Sequence, residues 1–137
     1  MRSELEQKAE RLLERCEFLA LSSVTKEGYP RSCTMAKMKA EGYDTIWFST
    51  GTGSMKTGEF AGNPKAGVCY WHEGDSVTLM GDVEIVHDME TKQSLWSDWL
   101  YDHFPKGVED PEYTILKFTT REAVIWIDFK FERFSYR

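Results

Sequence analysis

A long alternating segment, from Ser76 to His87, places the strongest constraint on the fold of this 137-residue chain. Around Gly81, apolar residues occupy every second position, a pattern typical of a β-strand with one face in a core. A glycine within such a strand allows a bend, and bends help a sheet to curl into a barrel. The segment therefore predicts one long, bent strand of a small barrel.

The rest of the chain predicts more strands than helices. Short apolar runs between turn residues predict strands at residues 18–24, 31–39, 45–48, 66–72, 113–119 and 123–136. Helices are predicted after Ser3, which forms a capping box with Glu6, after the loop at Ser54, and from Asp88 to about Tyr101. These elements predict a single domain over residues 1–137, a barrel of six or seven strands with about three helices.

Composition excludes several classes of function. The net charge is −6 and there is no run of lysine or arginine, which disfavours nucleic acid or an anionic membrane surface as a partner. No apolar run approaches the roughly 20 residues that span a bilayer, and the N-terminus is charged, so we expect a cytoplasmic protein. Three cysteines without a CxxC pair indicate reduced thiols. No metal site is expected, because the histidines are far apart: His72, His87 and His103.

The segment from Ser49 to Pro64, STGTGSMKTGEFAGNP, has the composition of a phosphate-binding loop. Hydroxyl side chains and flexible glycines precede a helix N-terminus, and Lys56 supplies a positive charge. The spacing matches neither a Walker loop, because Met55 precedes Lys56, nor the dinucleotide fingerprint, whose third glycine is missing. The alternative interpretation is an ordinary turn that caps a helix.

Taken together, these residues resemble the pyridoxamine 5′-phosphate oxidase-like FMN-binding split barrels, and within them the bacterial general stress protein branch. The resemblance covers nearly the whole chain. The motifs that carry it are Gly28 to Lys39, Phe48-Ser49-Thr50 with Ser54-x-Lys56, Asn63-Pro64, Gly81-x-Val83-Glu84, and Leu95-Trp96 to Tyr113. It implies an α+β fold, mainly β with helices: a six- to seven-stranded antiparallel split β-barrel.

The resemblance also implies a cofactor and a site. FMN would bind with its phosphate at Ser54 and Lys56, with Met55 between them, and the remaining cofactor-binding residues would be Ser49, Thr50, Thr34, Met35, Ala36, Lys37, Lys39 and Ser76. Lys37 and Lys39 have an alternative interpretation as solvated strand residues. The family is typically a homodimer with the flavin at the interface. Candidates for the substrate pocket or the partner subunit are Trp71, Trp96, Trp99 and Phe104, although Trp71 has an alternative interpretation as core and the next two as dimer packing.

Two departures from the family pattern bear on function. Thr34 stands where pyridoxamine oxidases have an arginine, which removes one cation from the phosphate site. The C-terminus, Phe129 to Arg137, lacks their arginine- and histidine-containing tail, which disfavours true pyridoxamine phosphate oxidation.

The leading hypothesis is an FMN-dependent oxidoreductase acting on a small-molecule substrate, with no catalytic protein residue because the flavin carries the chemistry. The resemblance to the general stress protein branch implies a link to stress. The alternatives are a non-catalytic flavin store or sensor, a haem- or F420-binding split barrel, and a barrel with no ligand.

Overall fold

The computed structural model describes residues 1–136, so Arg137 lies outside the described part of the chain. Residues 1–136 form three α-helices and seven strands. In chain order they are α1 Glu4–Arg15, β1 Phe18–Val24, β2 Pro30–Glu41, β3 Thr45–Gly51, α2 Met55–Gly62, β4 Lys65–His72, β5 Asp75–Val86, α3 Met89–Ser94, β6 Tyr113–Ile127 and β7 Lys130–Ser135. Two 3₁₀ turns, Asp98–Asp102 and Gly107–Glu109, lie between α3 and β6.

The strands form a closed antiparallel barrel with one additional strand. Their order is β3-β2-β1-β4-β5-β6-β7, and a further pairing of β3 with β6 closes the first six into a barrel. Strand β6 is 15 residues long, so its first half pairs with β3 and its second half with β7, while β5 runs along most of its length. This architecture confirms the predicted α+β split barrel.

Strand β5 has the predicted alternation and the predicted bend. Val77, Leu79 and Val83 are buried with Gly81, and the residues between them face outward or are partly covered. The pairing of β5 with β6 shifts register between Met80 and Gly81. The bend therefore lies at the glycine, as the sequence indicated.

Two apolar clusters stabilise the molecule. The larger fills the barrel and includes the side of α1 that carries Ala9, Leu12 and Leu13. The smaller lies outside the barrel, where the segment between α3 and β6 folds back on the sheet. It consists of Val86, Leu100, Phe104, Tyr113 and Ile115, with Met38, Trp47, Leu95, Trp96 and Val108 packed against them. The segment 95–113 is thus anchored by burial of apolar surface although it contains little regular structure.

The N-terminal helix is fastened to the C-terminal strand by a polar cluster. The Tyr136 hydroxyl donates a hydrogen bond to the Glu6 carboxylate and shares a second with the Tyr43 hydroxyl. The Arg2 guanidinium stacks on the ring of Tyr43, 4.0 Å from its centroid. Ser3 and Glu6 form the predicted capping box. These contacts join residues far apart in sequence, at the two ends of the described chain.

The prediction of one continuous helix from Asp88 to Tyr101 is wrong. Asp88 caps α3 as expected, but the helix ends at Ser94, and Ser97 is extended before the 3₁₀ turn. Leu95 and Leu100 both pack on the smaller apolar cluster. Five positions apart, they would point about 140° away from each other on a regular helix of 3.6 residues per turn. Breaking the helix lets both side chains reach the same cluster.

The predicted last strand, residues 123–136, is also wrong, because it is two strands. Strand β6 continues from Tyr113 without the predicted interruption, and the chain then reverses at Asp128 and Phe129, whose φ angles are 55° and 63°. Ile127 pairs with Lys130 across this two-residue turn, the tight geometry that antiparallel hairpins favour. Neither turn residue is a glycine, so the usual sequence signal was missing.

Within residues 1–136, no helix is both long and apolar enough to cross a membrane.

Candidate functional site

The end of β3 and the start of α2 gather the hydroxyl groups of the predicted phosphate loop. Ser54 is the N-cap of α2, and its hydroxyl accepts a hydrogen bond from the Thr57 N–H. The Thr50 and Ser54 hydroxyl oxygens are 3.2 Å apart, and the Lys56 ammonium donates to the Thr50 hydroxyl at 3.4 Å. An ammonium, two hydroxyls and a helix N-terminus therefore meet at one point, the chemistry that binds a phosphate group.

The loop is held in place by the segment that enters β6. The Thr52 N–H donates to the Glu112 carbonyl at 2.8 Å, and the Thr52 hydroxyl donates to the Pro111 carbonyl at 2.7 Å. The Gly53 N–H donates to the Glu112 carboxylate at 3.1 Å. These bonds follow from the β3–β6 pairing, which places Gly51 opposite Tyr113. The predicted phosphate loop is thus supported by hydrogen bonds from outside its own sequence.

Beside this loop lies a cleft of about 560 Å³, here called the main cleft. Its walls are the middle of β2, the end of β3, Lys56 of α2, and the first 3₁₀ turn with the residues after it. The lining residues are Phe18, Thr34, Met35, Ala36, Ser49, Thr50, Gly51, Lys56, Trp99, Leu100, His103, Phe104 and Glu112. Eight of the candidate residues from the sequence are therefore brought together: Thr34, Met35, Ala36, Ser49, Thr50, Lys56, Trp99 and Phe104.

The main cleft has a polar end and an apolar wall. Phe104 is buried and packs on Tyr113, with ring centroids 5.3 Å apart. Trp99 is 47% exposed and stands edge-on to His103 at 5.9 Å, so its ring is accessible to a ligand. Burial raises the pKa of Tyr113, to about 12, which keeps this phenol neutral behind the wall. A ligand with a charged end and a flat apolar body matches this arrangement.

A smaller side cavity of about 420 Å³ adjoins the main cleft and contains three further candidates, Lys37, Lys39 and Trp96. Ala36 and Trp99 line both spaces. The Lys37 ammonium donates to the Leu13 carbonyl at the end of α1, at 2.6 Å. Burial lowers the pKa of Lys37. Its side chain therefore caps a helix end and is directed away from the main cleft.

Lys39 and Trp96 also have partners of their own. The Lys39 ammonium lies 5.0 Å from the centroid of the Trp47 ring and 3.7 Å from the Glu41 carboxylate. Trp96 stands edge-on to Tyr101 and Tyr113, at 5.0 and 5.1 Å between ring centroids. Trp96 thus supports the wall of the main cleft from behind.

The remaining four candidates do not line the main cleft. Ser54 supports the loop through hydrogen bonds, whereas the Met55 side chain is 68% exposed and faces another cavity beside Glu59. Trp71 and Ser76 are paired on β4 and β5, away from the main cleft. Trp71 is 56% exposed, so its alternative interpretation as a core residue is wrong.

Sequence reasoning missed four lining residues, Phe18, Leu100, His103 and Glu112. The sequence places His103 on the helix predicted after Asp88 and rejects it as a metal ligand, and it places Glu112 in the loop before a strand. Glu112 is found from the pairing of β6, which begins after it, with β3, which leads into the loop. That pairing connects residues about 60 positions apart, and local spacing does not report it.

Comparison with known proteins identifies the family. A family model described as "Pyridoxamine 5′-phosphate oxidase like" matches residues 4–133. The chain belongs to the pyridoxamine 5′-phosphate oxidase-like family. The resemblance predicted from the sequence is thereby confirmed. No curated protein sequence matches the chain.

Solved structures with the same fold include general stress proteins. A Clostridium acetobutylicum protein related to general stress protein 26 of Bacillus subtilis is 26% identical, with a TM-score of 0.87 over 98% of this chain and 96% of its own. General stress protein 26 of Bacillus anthracis is 23% identical, with a TM-score of 0.79 over 96% of this chain and 100% of its own. The pyridoxamine 5′-phosphate oxidase-like chain thus resembles the branch expected from its sequence.

A haem-binding protein from Mycobacterium smegmatis shares the fold at greater distance. It is 13% identical, with a TM-score of 0.77 over 98% of this chain and 59% of its own. At this identity the likeness concerns the fold alone.

Proposed function

We propose that the chain is an FMN-binding oxidoreductase and that the cofactor occupies the main cleft. The observation that carries this proposal is the meeting of the Lys56 ammonium with the Thr50 and Ser54 hydroxyls beside an aromatic wall. Lys56 and the hydroxyls would hold the phosphate, and Trp99 and Phe104 would flank the apolar body of the ligand. Family membership supports the choice of a flavin.

The residues of the cleft fit FMN in size and in chemistry. A volume of about 560 Å³ is within the range of small-molecule sites in proteins, which is roughly 300–1,000 Å³. Ser49 and Thr50 are at the strand end, as the phosphate requires, and Met35 offers an apolar surface from the barrel side. Thr34 supplies no charge there. Among the lining residues, all of which lie in the described range 1–136, Lys56 is the one with a permanent positive charge.

The chemistry in this proposal needs no protein nucleophile. A bound flavin supplies hydride or single-electron transfer. The protein's residues would orient the cofactor through the phosphate loop and exclude water on the side of Phe104. The substrate is proposed to be a small molecule that enters past Trp99, whose exposure leaves that side of the cleft accessible.

We further propose that the functional unit is a homodimer with the flavin at the interface. Trp71, Ser76, Trp126 and Phe131 are directly opposite one another on four neighbouring strands, so they share one outer face of the sheet. The three aromatic rings are 56%, 40% and 65% exposed. An exposed apolar patch of this kind is typical of an interaction surface. A second copy of the chain is the occupant that would also give Trp71 and Ser76 access to a flavin site.

A ligand titration tests the proposal. Purified protein would be titrated against FMN, riboflavin and haem, with quenching of flavin fluorescence and the haem Soret band as the signals. Saturable binding of FMN, ahead of riboflavin, is expected. A Soret shift without flavin binding would replace FMN by haem, the ligand of the Mycobacterium smegmatis relative.

Turnover and assembly need separate measurements. Steady-state oxidation of NAD(P)H or another donor by the FMN-loaded protein is expected of an oxidoreductase, and its absence would favour a flavin store or sensor. Light scattering coupled to size-exclusion chromatography should give the mass of a dimer. Trp126→Ser combined with Phe131→Ser should yield a monomer, and a wild-type monomer would contradict the proposed assembly.

A further inference from the structure

The Glu112 carboxylate occupies part of the phosphate loop. Its oxygen accepts the Gly53 N–H at 3.1 Å and lies 3.3 Å from the position that a Cβ would have on Gly51. The glycines at 51 and 53 therefore allow a carboxylate to lie close to the loop backbone. A backbone N–H at such a loop is a donor that a phosphate would otherwise use.

The backbone of Glu112 is fixed, but its side chain is not enclosed. Its N–H donates to the Asp110 carboxylate at 3.0 Å and its carbonyl accepts the Thr52 N–H at 2.8 Å. Hydrogen bonds from the Glu112 N–H and the Lys106 N–H hold the pKa of Asp110 below its usual range. The Asp110 carboxylate is therefore ionised at neutral pH and accepts both bonds. Glu112 itself is exposed. Its carboxylate can turn into solvent while the loop keeps its support.

The Glu112 carboxylate changes the net charge that a phosphate group would meet in the main cleft. Lys56 contributes one positive charge, Glu112 one negative charge, and Thr34 none, so the side chains of the phosphate end have no net positive charge. A phosphomonoester carries close to two negative charges at neutral pH. A phosphomonoester that binds the loop would therefore be repelled by the negative Glu112 carboxylate, which accepts the same Gly53 N–H.

We infer that Glu112 is a specificity-determining residue whose carboxylate competes with the ligand phosphate for the loop. The inference rests on the proposed function and deepens it. In the free protein Glu112 holds the Gly53 N–H, and a phosphorylated ligand must displace it. Glu112 thereby reduces the ratio of affinities for phosphorylated and unphosphorylated flavin.

Glu112→Gln tests this inference, because it removes the charge and keeps an oxygen acceptor for Gly53. The variant should bind FMN ~10-fold more tightly, the factor for one negative charge ~6 Å from a dianion in water. Riboflavin affinity should change less than about twofold, since its interaction lacks the dianion. Glu109→Gln is the matched control: Glu109 is the exposed residue of the second 3₁₀ turn, its substitution changes the net charge equally, and it should affect neither ligand.

Glu112→Ala separates competition from structural support. If the carboxylate competes, this variant also gains affinity for FMN. If the carboxylate merely stabilises the loop, Glu112→Ala loses affinity for both flavins and Glu112→Gln matches the wild type, which overturns the inference.

Inorganic phosphate keeps this test independent of the proposed cofactor. Titration would be followed at the Gly53 amide in a ¹H–¹⁵N correlation spectrum of wild type and Glu112→Gln. Tighter phosphate binding by the variant supports the inference even if no flavin binds, an outcome that would reject the proposed function alone. No gain for either FMN or phosphate overturns the role of Glu112.

Discussion

Gly81 and Thr119 bring β5 and β6 into unusually close backbone contact. A Cβ built on Gly81 would overlap the carbonyl oxygen of Thr119, and the ring of Phe118 is 3.0 Å from the same position. This contact coincides with the register shift that bends β5. The close pairing of β5 with β6 at this point therefore depends on the absence of a side chain at position 81.

Gly81→Ala should destabilise the protein by about 3 kcal/mol or more, because backbone atoms have to move to accept the methyl group. The free energy of unfolding from urea denaturation measures the effect. Gly58→Ala is the control, since a Cβ there meets nothing within 4 Å and Gly58 lies inside α2. It should stabilise by about 0.5–1 kcal/mol. Equal effects at the two positions would contradict the close approach.

Lys56→Ala should weaken FMN binding by about 1.5–3 kcal/mol, the range for hydrogen bonds that involve a charged group. Riboflavin binding should change much less, because riboflavin has no phosphate. Fluorescence quenching measures both affinities. Lys65→Ala, an exposed residue at the start of β4, controls for the change in net charge. Equal losses for the two flavins would show that Lys56 does not hold the phosphate.

Thr34→Arg should tighten FMN binding by about 1 kcal/mol, the upper range for an exposed ion pair. Thr34 is exposed and lines the main cleft, so a guanidinium there can reach a ligand without being buried. Isothermal titration calorimetry with Thr34→Gln as the neutral control isolates the contribution of charge. A similar gain in both variants would assign the effect to side-chain length.

Alanine substitutions at Phe104 and Trp99 should affect different properties, stability at Phe104 and flavin binding at Trp99. Phe104→Ala should lower the free energy of unfolding by about 3–5 kcal/mol, because the ring is buried in the smaller apolar cluster. Trp99→Ala, at a 47% exposed position, should cost under about 1 kcal/mol of stability and still weaken flavin binding. Denaturation and flavin titration of both variants give the comparison. A large stability loss at Trp99 would mean that it is structural.

Glu6→Gln should reveal a pH-dependent contribution to stability. Burial acts to raise the pKa of Glu6, but hydrogen bonds from Tyr136 and Ser3 outweigh it and hold the pKa below the usual 4.5. A carboxyl group with a lowered pKa stabilises the fold above its unfolded pKa, and this contribution is lost as the pH falls through the folded value. The variant should therefore be about 1–3 kcal/mol less stable at pH 7, with a difference that shrinks below pH 4.5. A difference independent of pH would contradict this role.

Much of the barrel was predictable because strand periodicity is a local property. The alternation around Gly81, the capping box at Ser3 and the loop before α2 depend on residues close together in sequence. Eight candidate residues for the site lie in one cleft, and most of them belong to β2 and β3. These two strands are consecutive in the chain and adjacent in the sheet, so their pairing is also a local feature. Their binding of a flavin stays a prediction.

The sequence by itself determined most of the strand pattern, the family resemblance and the grouping of hydroxyls, glycines and Lys56 in the loop after β3, since each depends on residue types at short spacing. Only the tertiary structure decided where the helix after Asp88 breaks, that Lys37 caps α1, and that Glu112 reaches Gly53 from 59 positions away. The physical reason is that these features arise from strand pairing and from burial of apolar side chains in shared clusters. Both bring together residues whose separation along the chain gives no sign of their contact.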